Sequence, residues 1–423
     1  MCSTKNHRVK DILELYYPSY LKDRKRQLFL TDDHHRAVNS IVACRTPRLG
    51  LQVFACDGCA EAFYLPRSCK HRFCSTCGAA DTHEWANRVL YSLPDIRHHH
   101  VVFTVPKPLR MIASRNNKTF YDTFFRLSNE VIQGWFKEKH GLKAGVVSVL
   151  HTSGSDLKYH PHIHMIVSAG GLNKSGQLIE LSGDYLCPQR VLGKRIRQRL
   201  ISELVTLSKQ EVELKDEEGK VYHLVKRLAI PKRLRRDQAF AHWLRKINAK
   251  HWIVNIEKSL PGVEKLIAYV GRYTKRSCIS EYRLKSISGG EIEFSYKDYK
   301  NSKRGSKPVE ATIKMGSTQF LDRLLLHIPE KGFKMVRYYG AYSSGNLKKI
   351  PAEKKLPPKE VVEEVELDLS EEDLYDYSAY RRAVKRKTGR DPLLCQCCGR
   401  LMKLRQIRYE KAGEVMVQEI DTS

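Results

Sequence analysis

Residues 151–167 read HTSGSDLKYHPHIHMIV and place four histidines, His151, His160, His162 and His164, in a span with the pattern of a β-hairpin. The flanking runs AGVVSVLHT (144–152) and HPHIHMIVSAGG (160–171) are rich in β-branched and apolar residues, and the polar stretch SGSDLKY between them has loop chemistry. Side chains alternate across a strand, so His162 and His164 point to one face while Ile163 and Met165 pack beneath them. His151 stands eleven residues before His162. A loop centred near Asp156 and Leu157 sets it across the hairpin from His162. A lone histidine is most often a structural residue, but three that converge through hairpin geometry form a metal platform with positions left open for a substrate.

The segment HPHIHMI also fits the alternating pattern of histidine-triad nucleotide hydrolases, in which a histidine attacks phosphate. That reading uses His160 and ignores His151. It leaves the charge and the cysteines of the chain unexplained, because those proteins are small.

Working outward, Val101–Val105 in HHHVVFTVPKP predicts a buried strand ended by prolines, followed by a helix from about Lys118 to Lys139. Basic helical patterns recur at 190–207 and 237–249. HWIVNIEK (251–258) reads as a strand, 260–276 as a helix after a Pro-Gly entry, and 291–299 as a late strand. Composition shifts divide the 423 residues into an N-terminal metal module (1–95), a central domain (96–345) and a tail (346–423). In the tail, 360–376 hold nine acids and no base, and 381–390 hold six bases. The acidic run reads as a solvated linker.

With 75 Lys and Arg against 47 Asp and Glu, the formal charge is +28, which calls for a polyanionic partner such as nucleic acid. The N-terminus has no signal-peptide pattern and no stretch of about 18 apolar residues occurs, so the sequence predicts no membrane span and a cytoplasmic, nucleoid-associated location. In a reducing compartment, clustered cysteines are read first as metal ligands. Cys56 and Cys59 form one C-x-x-C knuckle and Cys74 and Cys77 a second, and the spacing predicts that these four hold one zinc ion. Cys44 and Cys69, with His71 or His83 nearby, complete a second site or are buried thiols. Zinc would fold a segment poor in apolar residues and present Arg45, Arg48, Arg67, Lys70 and Arg72 to phosphates. Cys395 and Cys398 in CQCCG make half a knuckle without an evident other half.

In LIAYVGRYTKR (266–276), Tyr269 and Tyr273 are four apart and share a helical face. An aromatic ridge in a core would have the same spacing. The neighbouring Arg272, Lys275 and Arg276 favour a helix laid against phosphates.

Taken together, the two knuckles, FTVPKPL, HPHIH, YVGRYTKR and FLDRLLLHIPEKGFKMVRYYG resemble the two-tyrosine transposases of the insertion-sequence ninety-one family, relatives of rolling-circle replication initiators and relaxases with the His-hydrophobic-His (HUH) nuclease fold. The resemblance spans about residues 30–345. It implies an α+β fold, a central antiparallel sheet flanked by helices, preceded by a zinc-binding, DNA-binding domain and followed by a partly disordered tail. It further implies Mg²⁺ or Mn²⁺ on His162 and His164, with His151 in the place of a third ligand. Tyr269 and Tyr273 become nucleophiles that form 5′-phosphotyrosine links to single-stranded or hairpin transposon ends during rolling-circle transposition. Host replication proteins are expected as partners, and the chain as a monomer or homodimer. A plasmid replication initiator or relaxase would share the chemistry, and a non-catalytic zinc-dependent DNA-binding regulator would share the charge and the cysteines. The family often has His where this chain has Lys275, and a further His in the stretch that reads LGLQVF here.

Overall fold

The structure is a computed structural model that describes residues 8–27, 29–59, 61–75, 77–183, 186–215, 221–249, 254–257, 277–298, 308–351, 393–411 and 414–420, with single positions at 252, 267, 270, 301, 354, 355 and 391. Its N-terminal part contains α1 (Val9–Tyr20), α2 (Asp32–Ala43), β1 (Leu51–Cys56), β2 (Ala62–Pro66) and α3 (Gly78–Ser92). The middle contains β3 (His98–Thr104), α4 (Asn117–His140), β4 (Lys143–Ser153), β5 (Tyr159–Leu172), β6 (Leu178–Glu180) and α5 (Gln189–Lys209). After these come β7 (Glu211–Lys215), β8 (Val221–Lys226), α6 (Asp237–Asn248) and β9 (Val254–Ile256). Then follow β10 (Leu284–Ser288), β11 (Glu291–Asp298), β12 (Val309–Gly316), α7 (Ser317–Leu325), β13 (Val336–Gly340), β14 (Met402–Lys411) and β15 (Glu414–Glu419).

The histidine hairpin is β4–β5, with His151 directly opposite His162. It lies at the middle of a six-stranded sheet ordered β13-β4-β5-β3-β9, with β6 added to β5, and every pairing in it is antiparallel. The fold is therefore α+β, as expected. One face of this sheet carries Phe103, Leu150, Ile163 and Met165, buried in the same core as Phe124, Leu200 and Leu244 of α4, α5 and α6. In α4 the apolar residues Phe120, Phe124, Leu127, Val131 and Ile132 recur at three and four, which forms the stripe that packs on the sheet. Gly141 ends α4 in the left-handed region at φ 66°, where its N–H reaches the carbonyl of Lys137.

The opposite face carries His151, His162 and His164 together with Val147, Val149 and Ile166, since paired residues project to the same side. Val147, Val149 and Ile166 share a core with Trp85 and Val89 of α3, Tyr342, Ile267 and Val270. The Tyr342 ring rides directly on Gly145, where a Cβ would stand 2.3 Å from it.

The tip of the hairpin is bolted to a second sheet, β10-β11-β12. Leu157 adopts φ 61°, a left-handed conformation that costs a non-glycine residue about 1–2 kcal/mol. It is held there because its side chain is wholly buried in a core with Phe294 of β11 and Phe320 of α7. His327 Nε2 donates to the carbonyl of Leu157 (3.1 Å), and Arg323 Nη1 donates to that of Asp156 (3.0 Å). Leu157→Ala is expected to destabilise the protein by about 2–4 kcal/mol, the usual cost of a buried leucine truncation, read as a lower urea unfolding midpoint.

The structure adds two features to the organisation expected from composition. Core packing crosses the boundary at residue 95, because Ile12 and Leu13 of α1 and Val38 and Ile41 of α2 share their core with Ile292, Phe294 and Phe320. The C-terminal tail also joins the N-terminal module, since β14 pairs along β1, giving a sheet ordered β15-β14-β1-β2. β1 has two edges and β2 covers only one of them, so the other accepts the distant strand. The acidic run at 360–376 and the basic run at 381–390 lie outside the described residues, as does most of the helix expected at 260–276.

Candidate metal centres and nuclease site

Ligand atoms of His151, His162 and His164 all lie within 4.8 Å of one another. His151 Nδ1 is 3.2 Å from His162 Nε2, and the rings of His162 and His164 are 4.7 Å apart. Burial pushes His162 down to about 4 and carries His151 and His164 well below the ordinary imidazole range. All three are neutral at pH 7, the protonation state a metal ligand needs.

Their outer partners fix the tautomers. His162 Nδ1 donates to the carbonyl of His160 (2.6 Å), which leaves Nε2 as an acceptor toward the other rings. His100 Nδ1 donates to the Glu257 carboxylate (2.9 Å), so its Nε2 accepts from His164 Nδ1 (2.9 Å), and His164 Nε2 is in the acceptor form. His151 Nε2 stands 3.1 Å from Ser153 Oγ. With its proton there, Nδ1 of His151 joins the set. The donor set therefore fits a divalent ion: three neutral nitrogens from adjacent strands of one rigid sheet, two of them with fixed tautomers.

His160 is not part of this group. Its Nδ1 is engaged by the guanidinium of Arg110, which also donates to the carbonyl of Tyr159. His100 and Glu257 were missed by sequence reasoning. The only signal was the run HHH at 98–100, whose relation to His164 depends on the β3–β5 register. Glu257 arrives because β9 pairs with β3 and the Glu257 N–H donates to the carbonyl of His100 (3.0 Å).

Tyr269 and Tyr273 lie outside the described residues, as do Arg272, Lys275 and Arg276. Ile267 and Val270, which flank Tyr269, are described. Both are helical and fully buried, in the core on the histidine-bearing face.

The cysteines group differently from the expectation that Cys56, Cys59, Cys74 and Cys77 share one ion. One cluster is Cys44, Cys69, Cys74 and Cys77, and the other is Cys56, Cys59, Cys395 and Cys398. The cause is β-pairing: β1 ends at Cys56 opposite Met402 of β14, which draws the first knuckle to the C-terminal cysteines. In the first cluster Cys44 and Cys69 take the places foreseen for Cys56 and Cys59. Cys44 Sγ is 3.4 Å from Cys77 Sγ and Cys69 Sγ is 3.7 Å from it. Sulfurs of a disulfide stand at about 2.05 Å, whereas thiolates at about 2.3 Å from a tetrahedral zinc stand about 3.8 Å apart, so the spacing is that of a metal cluster. Backbone N–H groups of Cys69 and His71 point at Cys44 Sγ and Cys69 Sγ at 3.5 and 3.4 Å, as the outer partners of thiolates do. Around the cluster Arg45, Arg48, Arg67 and Lys70 are exposed. Arg72 is only half-buried, yet desolvation brings its guanidinium down to about 10.

Comparison with known proteins adds identity to this geometry. Residues 145–349 match the family described as putative transposase, and 12–105 match the transposase zinc-binding domain of the IS91 type. The chain is 31% identical over 335 residues to putative transposase y4qJ of Sinorhizobium fredii (strain NBRC 101917 / NGR234), covering 78% of this chain and 79% of that protein. It is 29% identical over 317 residues to the transposase for insertion sequence element IS801 of Pseudomonas savastanoi pv. phaseolicola, covering 74% and 70%. Among the described residues no helix is long and apolar enough to cross a membrane. The zinc-binding module, the histidine sheet and these relatives lead to one conclusion: the chain belongs to the IS91 family of DNA transposases, enzymes that act on DNA.

Proposed function

We propose that the chain is a metal-dependent single-strand DNA endonuclease and strand transferase working through tyrosine, and that His151, His162 and His164 hold Mg²⁺ or Mn²⁺. The observation that carries this is the convergence of three neutral imidazoles from adjacent strands, two of them with proton positions fixed by other groups. Imidazole alone does not select Mg²⁺ or Mn²⁺ over softer ions, so the ion's identity rests on the family resemblance. Bound there, the ion supplies charge stabilisation at the non-bridging oxygens of a scissile phosphate.

The nucleophile in this reading is the phenol oxygen of Tyr269 or Tyr273. A bond forms from that oxygen to phosphorus and the bond from phosphorus to the 3′-oxygen breaks. The phenol proton ends on the departing 3′-hydroxyl, and the 5′-phosphate remains on tyrosine. The reverse attack by a 3′-hydroxyl reseals a strand, and a second tyrosine allows a second cut before the first is released. Ile267 and Val270, from the segment that contains Tyr269, are buried in the core on the histidine-bearing face, which is compatible with this assignment. Arg272, Lys275 and Arg276 follow closely and would contact backbone phosphates.

In the same reading Cys44, Cys69, Cys74 and Cys77 hold zinc and display Arg45, Arg48, Arg67 and Lys70 to DNA. His100 and Glu257 are positioning residues that aim His164. Glu257→Ala is expected to weaken Mn²⁺ binding about tenfold, with Glu257→Gln intermediate, measured by electron paramagnetic resonance titration. Unchanged affinity in both variants would remove Glu257 from this role.

The deciding experiment incubates the protein with single-stranded DNA from the ends of its own element and Mn²⁺. A protein–DNA adduct that survives denaturation is expected, and a site-specific cut without any adduct contradicts the tyrosine chemistry.

A further inference from the structure

The second cysteine cluster has no part in the nuclease reading, and two of its four members lie far beyond the residues matched by the zinc-binding family. Cys56 Sγ is 3.3 Å from Cys398 Sγ, and Cys59 Sγ is 3.4 Å from Cys395 Sγ and 3.7 Å from Cys398 Sγ. As in the first cluster, these separations are far too long for disulfides and close to the edge of a zinc–thiolate tetrahedron.

The two halves are built alike. In each C-x-x-C segment the N–H of the first cysteine donates to the carbonyl five residues on, Cys56 to Glu61 at 2.9 Å and Cys395 to Arg400 at 2.8 Å. The Gly58 N–H points at Cys56 Sγ (3.4 Å), and Gly399, directly after Cys398, takes φ 72°, the left-handed turn that closes such a knuckle. Beneath them lies a small core of Phe54, Leu393 and Met402, too few residues to hold the segment on packing alone. Asp57, inside the first knuckle, pairs with Lys403 and Arg405 of β14.

We propose that Cys56, Cys59, Cys395 and Cys398 bind a second zinc ion, which clasps the C-terminal hairpin β14–β15 onto β1 of the N-terminal module. Thiolates favour zinc over the harder ions that suit a nuclease centre. Because the two knuckles are more than 330 residues apart, the ion joins the beginning of the chain to its end, and the pairing of β14 with β1 depends on it. The inference stands independently of the tyrosine chemistry.

Metal analysis of the full-length protein, purified without chelator, tests it. Two zinc ions per chain are expected, with a zinc-edge X-ray absorption spectrum that fits four sulfurs per ion. Among the described residues eight cysteines lie in the two clusters, so a full thiolate shell on both ions needs all eight. One zinc per chain, or nitrogen or oxygen in the shell that persists in the His162→Ala protein, whose histidine site has lost a ligand, overturns the proposal. Cys395→Ser with Cys398→Ser is expected to leave one zinc and to speed amide exchange in 402–411 by at least tenfold, while 143–172 keeps its protection. The Cys397→Ser control keeps both ions, since Cys397 lies outside the cluster. Two zinc ions in the double variant, or unchanged exchange in 402–411, contradicts the clasp.

Discussion

His162→Ala is expected to reduce nicking of single-stranded DNA by at least about 10³-fold, a loss of about 4 kcal/mol of transition-state stabilisation. The substitution removes one of three nitrogens and the ring nearest to both of the others, with His151 at 4.9 Å and His164 at 4.7 Å between ring centroids, against 6.2 Å between His151 and His164. DNA affinity is expected to stay within about twofold, because phosphate attraction comes from charges spread over a +28 chain and not from a neutral imidazole. The pairing of β4 with β5 runs well beyond His162, so the hairpin itself persists. A gel-shift assay and a nicking assay on one preparation separate the two effects. Equal loss of binding and cleavage would show that His162 serves folding or DNA contact and not a metal.

Tyr269→Phe combined with Tyr273→Phe is expected to abolish the covalent protein–DNA adduct. Phenylalanine keeps the ring and removes only the attacking oxygen, so the packing of Ile267 and Val270 is left as it is. Each single variant is expected to retain one round of cutting and to lose the paired cuts that need both tyrosines. Adduct formation by the double variant, seen on a denaturing gel with labelled DNA, would assign the nucleophile elsewhere.

What could be read from the sequence was what neighbouring residues decide. The hairpin of 143–172 was legible because its period-two pattern and loop chemistry are contiguous, and the loop position then placed His151 opposite His162. Strand β3 begins at His98, three residues before the expected start, because the histidines of 98–100 are themselves buried in the sheet. The support for His164 stayed hidden, since it depends on the registers of β3 with β5 and β9, which no local pattern specifies. The cysteine partition was misread for the same reason. Spacing within 56–77 suggested one site, yet the partner of the first knuckle lies across β1–β14. Likewise α1 and α2 have ordinary amphipathic patterns that do not reveal β10–β12 as the surface they cover.

The central claim is that three imidazoles on one sheet face hold a divalent ion where DNA is cut. Crystals grown with MnCl₂ and examined at the manganese absorption edge test it most directly. The account predicts an anomalous peak within coordination distance of His151, His162 and His164 together, lost in His162→Ala. Manganese bound only at other residues, with the three rings joined to one another by hydrogen bonds alone, would contradict it.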